Sequence, residues 1–280
     1  MNIIKKIIAV AGCMALSAKI FAVNSNDSLG LAGDHLDLYA ALDLFKRSES
    51  PEAFEKALND KSNEINNLDL NNDGEVDYIK VIDKGEGDSH AFVLQDAVNE
   101  NESQDVAVIE VEKSGNEEAH IQIVGDEDLY GKDYIIEPGD EKPADAVTPA
   151  PPPSPEVHTA VFVNVWPWRP VRYIYGPHYR PWISPWGWRH YPVYWKPWHP
   201  VAWRVYYGRA YRYHHPYYHR TVVYRINNAH KVYYAHRTTS ASYQENRKSY
   251  NRTVNKSVNR SQPAAGKKHH GGKVKKVHRK

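Results

Sequence analysis

Leu36, Tyr39, Ala40, Leu42 and Phe45 recur at three- and four-residue spacing, the interval that places side chains on one face of a helix. Ser50-Pro51 follows. Serine can cap the free N–H groups of a first helical turn, and proline fits the first helical position, where no N–H is needed. The spacing therefore predicts a second, short helix with Phe54 and Leu58 on its buried face. From Ile65 the period changes to two. Strands are predicted near 65–70, 76–83, 90–95, 105–112 and 119–124. Turn residues separate them: Asn72-Asp73-Gly74, Lys84-Gly85-Glu86-Gly87, residues 99–103, and Ser114-Gly115-Asn116. Connections this short make neighbours antiparallel. The expected fold is α+β: two N-terminal helices packed on an antiparallel β-meander, followed by a low-complexity, largely disordered tail. Ile79, Val81, Phe92, Leu94, Ile109, Val111, Ile121 and Ile123 are the predicted core, against Phe45 and Phe54.

The periodic pattern stops near residue 141. Residues 142–156 (KPADAVTPAPPPSPE) read as a semi-rigid polyproline linker. Residues 158–166 could form one strand. Beyond them Trp-Pro and Tyr-Pro units recur through a Trp/Tyr/Pro/His/Arg-rich segment, 157–225, in which proline opposes regular helices and interior strands. Residues 226–280 form a basic tail whose composition predicts disorder. The remaining divisions are an acidic domain at 34–141 and a loose leader at 23–33.

Charge sharpens this division. The formal net charge is only +2, but residues 23–142 hold 31 acidic and 9 basic residues, a net of −22. Residues 143–280 hold 24 basic and 3 acidic residues, a net of +21. All 8 Trp fall between Trp166 and Trp203.

Ahead of both parts, Lys5 and Lys6 precede an apolar run, Ile7 to Ala18, that reads as a signal peptide ending near Ala22. Lys19 interrupts a run too short for a membrane span. Val10-Ala11-Gly12-Cys13 resembles a lipobox, which leaves Cys13 as an alternative lipid anchor. Cys13 is the sole cysteine, so the mature chain has no disulfide or thiolate chemistry. The expected location is periplasmic, outer-membrane-associated or extracellular.

Asp69-Leu70-Asn71-Asn72-Asp73-Gly74-Glu75-Val76-Asp77 resembles the first nine positions of an EF-hand or dockerin-type calcium loop. The resemblance implies oxygen ligands from Asp69, Asn71, Asp73 and Asp77, a sharp turn at Gly74, and the backbone carbonyl of Glu75. Lys80 stands at the twelfth position, where that family places a bidentate Glu, so Asp83 or another carboxylate would have to complete the shell. The alternative reading is a plain Asn-Asp-Gly hairpin turn. Calcium is the only cofactor the sequence suggests.

The stretches LDLNNDGEVDYIKVID, QDVAVIEVEK, VGDEDLYG and YIIEP, together with the WxW…VRYIYGPxYxPWxSPWxW segment, resemble an uncharacterised family of exported proteins of Bacteroidota-type bacteria. The resemblance implies an envelope location and shared architecture, and carries no activity.

In the basic part, arginine interleaves with aromatic residues. Arg169, Arg172, Arg204, Arg209, Arg212, Arg220 and Arg225, with Lys267, Lys268, Lys275 and Lys276, are the candidate contacts to polyanions. Anionic envelope polymers or surfaces are the expected partners, ahead of nucleic acid. The chain's own acidic domain is another, within one molecule or between copies. His214, His215, His219, His269, His270 and His278 lack the spacing of a fixed metal site and add positive charge in acid. His35, His90 and His120 read as isolated, the latter two as surface residues. No G-x-S-x-G, H-E-x-x-H, P-loop or dinucleotide motif is present. The expected role is non-enzymatic, with a calcium-binding module as the alternative.

Overall fold

The computed structural model describes residues 28–139, 163–213 and 217–248. Helix α1 (Leu38–Arg47) starts where the Asp37 carboxylate accepts the Ala40 N–H at 2.9 Å. Helix α2 (Pro51–Leu58) starts at the predicted cap, Ser50, whose hydroxyl accepts the Ala53 N–H. Four strands follow in a meander: β1 (Ile79–Asp83), β2 (Ser89–Asp96), β3 (Gln104–Gly115) and β4 (Glu118–Gly125). A single turn of helix, α3 (Glu127–Tyr130), leads to β5 (Ile135–Pro138), which continues the antiparallel order. The α+β fold expected from the periodicity is present. Every predicted core residue is buried in one cluster that includes Phe45, Phe54 and both helices.

Three local expectations are corrected. Residues 65–70 form no strand: Ile65, Leu68 and Leu70 are buried, but the backbone makes only an isolated bridge, Asn66 to Leu36, and single bonds to His35 and Asp77, with side chains meeting other groups nearby. The Asn66 amide donates to the Asp77 carbonyl at 2.7 Å, and Asn67 exchanges hydrogen bonds with the backbone of Val201. For the same reason β1 begins at Ile79 and not at 76. The strand expected at 158–166 is absent from its described part, 163–166, and the rest of it lies outside the described residues. The leader is held at its described end, where Asp34 accepts the N–H groups of Leu29 and Gly30.

The largest correction concerns the aromatic segment and the start of the basic tail. From 163 to 213 and from 217 to 248 the chain lies on the acidic domain along a defined path. It carries α4 (Arg169–Ile174), α5 (Trp203–Ala210), β6 (Tyr218–Thr221) and α6 (Asn227–Tyr234); residues 241–248 are also helical. Chain this rich in proline and poor in leucine cannot build a core of its own. Here it does not need one. Val165, Val171, Ile174 and Tyr218 complete the core that the helices and sheet began.

The sheet explains why such a cover is needed. Alternation sends Phe92, Leu94, Ile109 and Ile123 to the helix face, while Ala91, Val93, Val108, Val124 and Ile135 form a second apolar cluster. Tyr233 of α6 packs on that second cluster. Both sheet edges are met as well. β6 pairs antiparallel with β5. Along β1, Asp83 N–H donates to the Trp182 carbonyl at 2.7 Å and Ser184 N–H donates to the Val81 carbonyl at 3.1 Å. An open edge is a template for pairing with other chains; here the later chain covers β1 and extends the other side by β6, a four-residue strand that becomes the outer edge.

Candidate functional site

The calcium-like sequence forms a tight loop at the entry to β1. Asn72 and Gly74 take the left-handed backbone region, φ 59° and 86°; glycine does so without steric cost. Asp69 accepts the N–H groups of Asp73 and Gly74, and Asp73 accepts that of Glu75. Asp77 accepts the Leu70 N–H at 2.5 Å and an Asn71 amide N–H at 3.1 Å. Thus Asp69, Asn71, Asp73 and Asp77 are brought together, whereas Glu75 enters through its backbone N–H. Chain from the basic half braces the loop. Val76 N–H donates to the Trp198 carbonyl at 2.7 Å, and His199 Nδ1 lies 2.8 Å from the Gly74 carbonyl.

Asp83 does not serve this loop. It lies at the far end of β1, where its carboxylate meets His90 Nδ1 at 2.8 Å and accepts the Tyr179 hydroxyl at 2.7 Å. His90 is correspondingly buried, against the expectation of a surface position, and packs beside Phe92, Tyr175 and Tyr179.

The acid at the loop is Asp96, the last residue of β2 and the register partner of Ile79. It is 1% exposed, and its Oδ2 has no hydrogen-bond partner. Burial raises its pKa to about 7, with the charges of Asp69 and Asp73 adding to the rise against the opposing Asp77 hydrogen bond and Lys80 charge. Asp77 is pushed well above the carboxylate range by burial and by Asp96 beside it. Among the described residues no group of three or more His, Cys, Asp or Glu is placed to hold a metal ion.

The candidate polyanion contacts divide. Arg209 meets Glu64 at 2.7 Å, with Arg212 at 3.5 Å from the same carboxylate. Arg225 meets Glu137 at 3.2 Å, and Arg169 lies 3.4 Å from Glu49 in an exposed pair. Arg220 is exposed, stacked over Tyr134 at 4.3 Å. Arg172 and Arg204 are exposed. Lys267, Lys268, Lys275 and Lys276 lie outside the described residues.

Sequence reasoning missed the most elaborate ion pair. Arg237 donates to Asp126 at 2.6 Å and to Asp128 at 3.0 Å, and Arg247 meets Asp128 at 2.6 Å. It also missed Glu55, buried with no cation on it. Its carboxylate accepts four donors: the Tyr78 hydroxyl, the Val81 N–H, the Trp182 indole N–H and the Ser184 hydroxyl, all within 3.0 Å. Burial raises the Glu55 pKa, and these hydrogen bonds oppose the rise. Two donors come from the acidic domain and two from the segment that covers it, so Glu55 acts as a latch between them.

Comparison with protein-family models, with curated proteins and with solved structures finds no match for the chain.

Proposed function

We propose that this chain is a non-enzymatic, exported interaction protein of the cell envelope. Its basic half neutralises its own acidic half, and the cations left facing outward bind anionic envelope polymers. The N-terminal pattern of Lys5, Lys6 and the apolar run from Ile7 to Ala18 supports export. The observation that carries the binding role is the division among the cations. Arg209, Arg212, Arg225, Arg237 and Arg247 stand against carboxylates of the same chain. Arg172, Arg180, Arg189, Lys196 and Arg204 are exposed on the stretch that also exposes Tyr173, Ile183, Val193 and Tyr194. Guanidinium groups beside aromatic faces suit polymers that carry phosphate or sugar acids: the charge attracts, and the ring adds contact area. The same pairings formed between two copies would give self-association.

Titration of the full chain with heparin, as an acidic polysaccharide, tests the reading. Affinity should fall by more than about tenfold between roughly 0.05 and 0.5 M salt, because binding releases counterions. Arg172→Ala combined with Arg204→Ala should weaken it further at low salt. An affinity indifferent to salt, or no binding at low salt, rules the proposal out.

A further inference from the structure

The wrapped chain does more than cover the second face of the sheet. Between α6, the end of β4 and the turn that precedes β5 lies a cavity of about 290 Å³. That is close to the lower end of the roughly 300–1,000 Å³ that small-molecule sites occupy. It shares no residue with the loop before β1 or with the exposed arginines at 172 and 204.

One part of the lining is a row of rings. The His230 ring centroid lies 4.3 Å from that of Tyr224 and 5.5 Å from that of Tyr234. The middle ring is fixed, since His230 Nδ1 meets the buried Glu110 carboxylate at 2.7 Å. Tyr233 is buried on the apolar cluster of the sheet, whereas Tyr234 beside it is 60% exposed. The remaining lining is mostly polar. Lys132 and Asp133 are exposed. Arg237 contributes too, but its guanidinium is engaged by Asp126 at 2.6 Å, Asp128 at 3.0 Å and Glu127 at 3.5 Å.

Charge decides the class of ligand. Asp126, Glu127 and Asp133 bring three carboxylates to the lining, against the cations Lys132 and Arg237. An anion would meet more carboxylates than cations, and the guanidinium is already neutralised. A cation would meet Lys132, with Asp126 and Glu127 engaged by Arg237. A neutral molecule avoids both costs. It needs an apolar face for the rings and an edge that both donates and accepts hydrogen bonds. A pyranose sugar has this make-up, with C–H groups on its faces and hydroxyls around its edge. Small-molecule sites combine aromatic lining with a few placed polar groups in the same way.

We propose that this cavity binds a neutral pyranose unit of a glycan, with a sugar face against Tyr234 and His230 and hydroxyls toward Lys132 and Asp133. An ammonium donates and a carboxylate accepts, so the two together match a hydroxyl's own donor and acceptor. The inference is independent of polyanion binding, which draws on Arg172 and Arg204.

The test titrates the full chain with the methyl glycosides of glucose, galactose, mannose and N-acetylglucosamine, read by calorimetry and saturation-transfer NMR. At least one should bind with a dissociation constant of about 10⁻³ M, the strength expected of so small a ligand. Its affinity should change by less than about twofold between roughly 0.05 and 0.5 M salt, because a neutral ligand releases no counterions. Tyr234→Ala removes a mostly exposed ring, so Tm should hold while sugar affinity falls about fivefold and heparin affinity does not. Asp133→Asn keeps a residue type that tolerates the left-handed backbone at this position, φ 55°, and should weaken sugar binding about threefold. The inference is overturned if none of the four glycosides binds at ten times the expected constant, if both variants bind as the parent does, or if affinity falls with salt as heparin affinity should. Heparin binding without sugar binding would leave the polyanion reading standing and sink this one alone.

Discussion

The acidic domain and the chain wrapped around it reach order by opposite routes. Between residues 38 and 125, order follows period: Leu, Ile, Val and Phe at helix or strand spacing fill one continuous core. Between residues 163 and 248, regular elements are short, and the path is fixed contact by contact. Tyr206 donates its hydroxyl to the Ile65 carbonyl while accepting the Asp37 N–H, both at 2.7 Å. Thr238 N–H donates to Asp105, and Ser240 N–H to Gln104. The first region is its own template; the second uses the first as one. A segment with too few aliphatic residues for a core can still be ordered when a neighbouring surface supplies carboxylates, carbonyls and an uncovered sheet face.

This comparison breaks most severely if the chain is ended after Gly139. The truncated domain would expose the Ala91, Val93, Val108 and Val124 face and both sheet edges, and it should aggregate or lose its cooperative unfolding transition, as read by size-exclusion chromatography and circular dichroism. A soluble truncated domain with an unchanged Tm would show that the wrapping is ornamental.

Glu55→Ala is the next largest. Removing a buried carboxylate strands four donors, at about 1–3 kcal/mol for each unsatisfied group before relaxation, so a loss above about 2 kcal/mol is expected in denaturant unfolding. Trp182 reports on the latch directly, since its indole donates to Glu55. A loss below about 1 kcal/mol, the ordinary worth of one hydrogen bond, would contradict the latch.

The pH dependence separates the two regions by sign. Asp96, inside the domain, holds its proton to about 7 against an ordinary 3.8, so the folded state binds more protons than the unfolded across that interval. Its contribution to stability should therefore be present below about 4 and fade as pH rises toward 7. Glu137 meets the wrapped chain. Burial works to raise its pKa, yet hydrogen bonds from His219 and Gln122 and the Arg225 charge outweigh burial and hold it below the usual carboxylate value. Its contribution is present above the ordinary carboxylate range and is lost as pH falls through the lowered value. Melting of Asp96→Asn and Glu137→Gln against the parent should flatten the neutral and acid limbs respectively; unchanged limbs would contradict the assignment.

Arg169→Ala is the smallest. Both partners of Arg169–Glu49 are mostly exposed, and such pairs contribute about 0–1 kcal/mol. A larger loss would mean that α4 depends on this contact more than its buried Val171 and Ile174 suggest.

The two regions were not equally legible. Helix and strand periods, the Ser50-Pro51 start and the core aliphatics are local signals, and each was readable from a short window. Residues 65–70 misled because Ile65, Leu68 and Leu70 supply buried side chains in a stretch that pairs only through an isolated bridge, while Asn66 and Asn67 bond to Asp77 and Val201. The wrapped path depends on partners far apart: Arg237 and Asp126 lie 111 positions from each other. One signal was present all the same. Ala91, Val93, Val108 and Val124 make the second face of the sheet apolar, and an apolar face calls for a cover that no described element before residue 139 supplies. In the candidate site, the loop acids were legible from their spacing. Asp96 was not, because only the pairing register of β1 and β2 brings it to the loop.

The pairing of β5 with β6 joins Pro138 to Tyr218 across a long interval of chain. Closure over such a separation carries a large entropic barrier, and a high contact order slows folding. The last strand should therefore join late, after the meander has formed. Because every tryptophan lies between Trp166 and Trp203, intrinsic fluorescence during refolding follows the wrapping step, while far-ultraviolet dichroism follows the scaffold that precedes it. Two separated phases are the expected kinetic signature of a chain that finishes its sheet with a strand from its basic half.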